Sequence, residues 1–179
     1  MSVAIPLSLA GYTLRSYRED DATALQQLAD DREVSRFLRD RFPHPYTFED
    51  ARDWIERART ETESPPLTFA ISGASTMLGG IGLDRQSDVY RHSAELGYWL
   101  GRQHWGRGVA TAAVEAICRY AFDTVGLRRV YACVFEPNTA STRVLEKAGF
   151  RLEGIHRRAV WKDGELFDEL MYGLLPDYR

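Results

Sequence analysis

Apolar residues recur along this chain with two different periods. Ala94, Leu96, Tyr98 and Leu100 alternate with Glu95, Gly97 and Trp99, the period of a strand whose two faces meet different surroundings. Val109, Ala113, Ala116, Ile117, Tyr120 and Ala121 fall at helical spacing, and no breaker interrupts them before Gly126. Between the two lies a turn rich in glycine and basic residues, Gly101-Arg102-Gln103-His104-Trp105-Gly106-Arg107-Gly108. This reads as a strand, a tight loop and a helix start. A second alternating strand follows at residues 129–135. Asn138 then caps a short helix that stops at Gly149, with Phe150 set to fold back on it.

The flanking segments carry weaker patterns. Residues 12–18 read as an opening strand, and Asp20 and Asp21 as caps for a helix with Leu25, Leu28 and Ala29 on one face. Phe42-Pro43-His44-Pro45-Tyr46 is extended, because each proline keeps its predecessor out of helix. Thr47 and Asp50 form a near capping box for a helix with Ala51, Trp54, Ile55 and Ala58 inward. Pro65-Pro66 ends that region. Residues 67–71 and 77–83 read as strands joined through Gly73-Ala74-Ser75, with Gly79-Gly80 marking a bulge. Residues 150–155, 158–162 and 167–174 read as strands around the turn Asp163-Gly164. No repeat or linker divides the chain, so the expectation is one mixed α/β domain over residues 1–179.

Bulk properties narrow the function classes. A hydrophobic content of 44% with 27% charged residues fits a soluble globular protein that buries a full core. A net charge of −3 argues against a dedicated nucleic-acid binder. The apolar runs fall far short of the roughly 20 residues that span a bilayer. The opening Met1-Ser2-Val3-Ala4-Ile5-Pro6 lacks the charged and apolar regions of a signal peptide, so the expected location is cytoplasmic. Cys118 and Cys133 read as buried structural thiols. With four scattered histidines they complete no metal site.

The loop supplies the first chemistry. Amides at a helix start have no intrahelical acceptor, and the helix dipole adds partial positive charge there, which together favour a phosphate. Gly106 and Gly108 let backbone approach an anion, and Arg102, Arg107 and His104 add basic groups around it. A dinucleotide fingerprint would need a third glycine and a first parallel strand, and a Walker loop would need Gly-Lys-Ser/Thr; both are missing.

Asn138-x-x-Ser141-x-x-x-Leu145-Glu146-Lys147-x-Gly149-Phe150 follows a strand that itself follows the loop's helix. In this order, with Pro45-Tyr46-Thr47, Ala51, Trp54-Ile55, Glu95 to Leu100 and the ending Asp168 to Tyr172, the chain resembles the GCN5-related N-acetyltransferase (GNAT) superfamily. Within it, the chain is similar to the RimJ/RimL-like branch that acetylates N-termini of ribosomal proteins. The resemblance implies the GNAT fold, a mostly antiparallel mixed sheet splayed at the cofactor site and flanked by helices, and acetyl-CoA as cofactor. The family's Gln/Arg-x-x-Gly-x-Gly/Ala loop then lands on residues 105–110 rather than on the first-sight match at Gln103, and Trp105 stands where Gln or Arg is usual. It further implies that the Leu100 backbone lies along the pantetheine arm. Amides of Trp105, Gly106, Arg107, Gly108, Val109 and Ala110, with Thr111 near the helix start, would hold the pyrophosphate. The Asn138 amide would reach the arm, and Lys147 reads as a solvated helix-end cation.

Acetyl transfer to an amine needs a neutral nucleophile and then a proton for the leaving thiolate. The tyrosine that many members carry seven residues after the helix Asn is Leu145 here, which moves attention to Ser141 as the hydrogen-bond donor to that thiolate. Glu95, on the strand feeding the loop, is the leading base, directly or through water; His156, Asp168 and Glu169 are weaker candidates. His44 and Tyr46 read as substrate-pocket residues. The acceptor is a protein N-terminus or a small-molecule amine, with no direct nucleic-acid or membrane partner and the chain a monomer or a homodimer. The rival reading is a non-catalytic acyl-CoA-binding or sensory domain that kept the fold, with Leu145 and Trp105 in its favour.

Overall fold

The computed structural model describes residues 3–60, 64–74 and 76–178. In chain order the described elements are β1 Ala4–Pro6, β2 Tyr12–Arg15, α1 Ala22–Ala29, α2 Arg32–Ser35, α3 Phe48–Thr60, β3 Thr68–Gly73, β4 Thr76–Arg85, β5 Ser93–Leu100, α4 Val109–Asp123, β6 Arg129–Phe135, α5 Thr139–Lys147, β7 Arg151–Lys162 and β8 Glu165–Leu174. The strands hydrogen-bond in the order β1-β2-β3-β4-β5-β6-β8-β7. The β1–β2, β2–β3, β3–β4, β6–β8 and β7–β8 pairs are antiparallel, and β5–β6 is parallel. This is the mixed, mostly antiparallel sheet with helices that the family resemblance implies. The residues cluster into two compact units, 1–82 with 98–117 and 83–97 with 118–179.

In the first unit α1 and α3 bury Leu25, Ala29, Ala51 and Ile55 with Tyr17, Tyr46, Ala70 and Met77. The start of α3 follows the sequence closely. Thr47 donates its amide (2.8 Å) and its hydroxyl (2.6 Å) to Asp50, and the Asp50 amide donates back to the Thr47 hydroxyl at 3.1 Å. Aspartate thus completes the box as glutamate would, and these bonds hold its carboxyl below the usual range. Asp21 differs from the expected cap. Its carboxylate accepts two 2.7 Å bonds from the Arg15 guanidinium and one of 2.8 Å from the Arg18 amide, inside the unit. The expected bulge lies one residue early: Ile71 pairs with Gly79 and Ser72 with Met77, leaving Leu78 extra. Gly79 and Gly80 instead make room. A Cβ on Gly79 would stand 2.1 Å from the Trp99 carbonyl oxygen, and one on Gly80 2.5 Å from the Tyr17 hydroxyl. Ser75 of the expected turn lies outside the described residues, as do Met1 and Ser2 of the leader argument.

In the second unit β6 alternates as expected: Val130, Ala132 and Val134 are buried, while Arg129, Tyr131 and Cys133 are half-buried. Cys118 is buried; Cys133 is less so than expected, because it lies on the other face of β6. The three strand pieces expected after Phe150 are two. β7 runs through from Arg151 to Lys162 with an irregularity between His156 and Val160, where Arg158 takes φ 52°. The Asp163-Gly164 turn has φ of 53° and 86°, which both central residues of a two-residue hairpin turn require. Arg129 and Glu153 form an ion pair that passes over Gly173, where a side chain would collide.

Candidate active site

β5 ends at Leu100, and the chain turns at Gly101, whose amide donates to the Leu78 carbonyl at 2.9 Å. A Cβ on Gly101 would lie 2.3 Å from Leu28 Cδ2, so the turn passes close to α1. The turn tightens through His104 N to Gly101 O at 2.9 Å and Trp105 N to Arg102 O at 3.2 Å. Gly106 (φ 73°) and Gly108 (φ 77°) then take left-handed backbone that L side chains rarely adopt, and a Cβ on either would meet nothing within 4 Å. Gly108 begins α4 by accepting from the Ala112 amide at 3.0 Å. The amides of Val109, Ala110 and Thr111 therefore have no acceptor inside the helix. Open space in front of two left-handed glycines and a helix start fits a bound pyrophosphate, by the chemistry expected of this loop.

The charge around the loop differs from the sequence reading. Burial, helped by Arg107, holds His104 below the ordinary imidazole value, so at neutral pH it is uncharged. Arg102 lies 3.9 Å from the Asp31 carboxylate. Arg107 is exposed. One contact had no predicted counterpart: the Trp105 indole N–H donates to the Leu100 carbonyl at 2.8 Å, across the loop.

In the second unit Asn138 caps α5, its side-chain oxygen accepting from the Ser141 amide at 3.2 Å. Ser141 is half-buried in the first turn of that helix. Leu145, at the position where many superfamily members carry tyrosine, is fully buried. Phe150 N returns to Leu145 O at 3.0 Å, closing the helix as expected. Glu95 is half-buried on β5, opposite Tyr131 in the parallel ladder. That ladder joins only Ser93–Glu95 with Arg129–Tyr131. From Tyr131 to the end of β6 at Phe135 is four residues, roughly 13 Å of strand, and Asn138 and Ser141 follow.

The weaker base candidates are engaged elsewhere. Asp168 accepts 2.5 Å and 2.8 Å bonds from Arg157 and the Arg158 amide; these hold its carboxyl below the usual range and tie down the β7 irregularity. Glu169 accepts from or faces His156 Nδ1 at 3.1 Å. Tyr46 is 5% exposed within the core of the first unit, and burial pushes its phenol up to about 12. His44 lies 3.6 Å from Asp30. Among the described residues, no group of three or more His, Cys, Asp or Glu side chains could hold a metal ion, and no helix is long and apolar enough to cross a membrane.

Comparisons with known proteins give the family and the fold. The acetyltransferase (GNAT) domain profile matches residues 12–151. The N-acetyltransferase p20 of Bacillus licheniformis is 32% identical over 91% of this chain and 92% of its own length. The ribosomal-protein-serine acetyltransferase of Escherichia coli is 28% identical over 61% of this chain and 60% of its own. Among solved structures, Mycobacterium smegmatis RimJ with a CoA disulfide superposes with a TM-score of 0.82 at 25% identity, covering 98% of this chain and 87% of that one. RimL, a ribosomal L7/L12 alpha-N-protein acetyltransferase in complex with coenzyme A, superposes at 0.85 with 23% identity, covering 99% and 100%. The chain belongs to the GNAT acetyltransferase family and is an acyltransferase.

Proposed function

We propose that this enzyme transfers acetyl from acetyl-CoA directly to a primary amine, with a ribosomal-protein-like N-terminus as the first candidate and a small-molecule amine as the second. The observation that carries this is the glycine loop with its open space at the start of α4. The N-terminal acceptor is supported by what the RimL and E. coli relatives are named for. We take the whole chain, residues 1–179, to work as one domain, since β4, β5 and α4 each run through both compact units.

Bound there, acetyl-CoA supplies a thioester whose acyl carbon an amine can attack. The backbone of Leu100 would lie along its pantetheine arm. Amides of Trp105, Gly106, Arg107, Gly108, Val109 and Ala110, with Thr111, would hold its pyrophosphate. Asn138 would offer its amide to the arm. Ser141 would hold a hydrogen bond toward the leaving sulfur, and Glu95 would accept the amine proton, directly or through water. Holding amine and thioester together supplies much of the acceleration without further chemistry.

Release of free CoA thiol from acetyl-CoA, measured against a panel of ribosomal-protein-like N-terminal peptides and small amines, tests the reading. Turnover with at least one peptide is expected. Tight CoA binding with no turnover on any acceptor would overturn it in favour of a non-catalytic binding domain. In the same assay Glu95→Gln is expected to lower kcat about tenfold, because water can partly replace a base that acts through it. An unchanged kcat at every pH removes Glu95 from the proton path.

A further inference from the structure

Trp105 stands directly before Gly106 in the glycine loop, and the structure shows what it does there. Its indole N–H donates to the Leu100 carbonyl at 2.8 Å, while the ring remains 46% exposed. The bond joins the last residue of β5 to the residue directly before Gly106. The short turn between them is already tied at one end by Gly101 to Leu78 and by the close approach to Leu28. The indole bond ties the other end, next to the two left-handed glycines whose backbone has no side chain to hold it.

Glutamine, arginine and tryptophan differ in size, charge and shape. All three nevertheless carry an N–H at the ε position, four bonds from Cα: Nε2, Nε and Nε1 respectively. A glutamine at position 105 can therefore present a donor at nearly the reach of the indole. Phenylalanine keeps a large ring there and has no donor.

We propose that Trp105 is a positioning residue for the cofactor, acting through its indole N–H, which fixes the loop in the conformation that aims the amides of Gly106 and Gly108 outward. The proposal rests on the acetyl-CoA reading above. The exposed face of the ring is secondary. The bond lies wholly within the chain, so its effect is preorganisation rather than direct contact.

Trp105→Phe and Trp105→Gln separate the donor from the ring. CoA affinity by calorimetry in the absence of acceptor, KM for acetyl-CoA against kcat, and the rate of tryptic cleavage after Arg102 and Arg107 are the readouts. The phenylalanine variant is expected to bind CoA about tenfold more weakly, since a buried carbonyl loses its partner, with the loss appearing in KM rather than kcat and with faster cleavage in the loop. The glutamine variant is expected to return to within about threefold of wild type in both affinity and cleavage, a recovery that ring packing alone does not produce. Wild-type behaviour of the phenylalanine variant overturns the proposal, as does equal weakening of both variants, which would assign the effect to the ring. If the wild-type protein itself binds no CoA, the acetyl-CoA reading fails, and the cleavage rates still decide whether the bond holds the loop.

Discussion

Replacing Asp21 with alanine is expected to lower the stability of the protein by about 3–5 kcal/mol, the cost of leaving a buried charge without its partner. Arg15 and Asp21 side chains are 7% and 6% exposed, and their two bonds are in bidentate geometry. The hydrogen bonds that Arg15 donates to Asp21 raise the Arg15 pKa further, against the lowering effect of burial, so the guanidinium cannot escape by losing its proton. The alanine variant would strand that cation beneath α1 and release the Arg18 amide as well. Urea unfolding followed by circular dichroism should show a lower midpoint with an unchanged slope. Replacing both residues with apolar side chains of similar volume should recover most of the loss, because well-packed apolar pairs often match buried ion pairs. A loss below about 1 kcal/mol for Asp21→Ala would mean that water reaches the pair.

Ser141→Ala is expected to lower kcat about a hundredfold at saturating acetyl-CoA and acceptor, the usual effect of removing one donor aimed at developing negative charge. The bond that Asn138 accepts comes from the Ser141 backbone amide, so the helix cap survives the change. KM for acetyl-CoA should stay within about twofold of wild type, since the hydroxyl is proposed to act on charge that appears only during transfer. Steady-state thiol release over a range of both substrates gives the two constants. An unchanged kcat would take the hydroxyl out of the chemistry and leave Ser141 as a first-turn helix residue.

Elements whose pattern is local were legible before any coordinates. β5 lies at Ser93–Leu100 and β6 at Arg129–Phe135, where alternation and flanking glycines place them. The start of α3 follows from Thr47 and Asp50, three residues apart, because a capping box is decided within one turn. What escaped depends on partners distant in sequence or on backbone that no residue type announces. β1 is three residues long and defined only by pairing with β2. Asp21 reads as a cap until Arg15, six positions away, takes its carboxylate. β7 looked like two strands because Arg158 adopts a positive φ that its chemistry does not suggest. In the site, the glycine turn before α4 and the Asn138 cap of α5 were legible. The Trp105 bond was not, since a tryptophan signals packing far more often than donation.

The Asn138 cap constrains what its side chain can offer to anything outside the helix. A carboxamide has one acceptor oxygen and one donor nitrogen, and here the oxygen is turned to the Ser141 amide. The face left over is the NH2 group, so the visitor that meets it must bring an oxygen lone pair, as an amide carbonyl does. Aspartate would start the same helix equally well. It would present a second oxygen where asparagine presents two hydrogens, and the same visitor would be turned away.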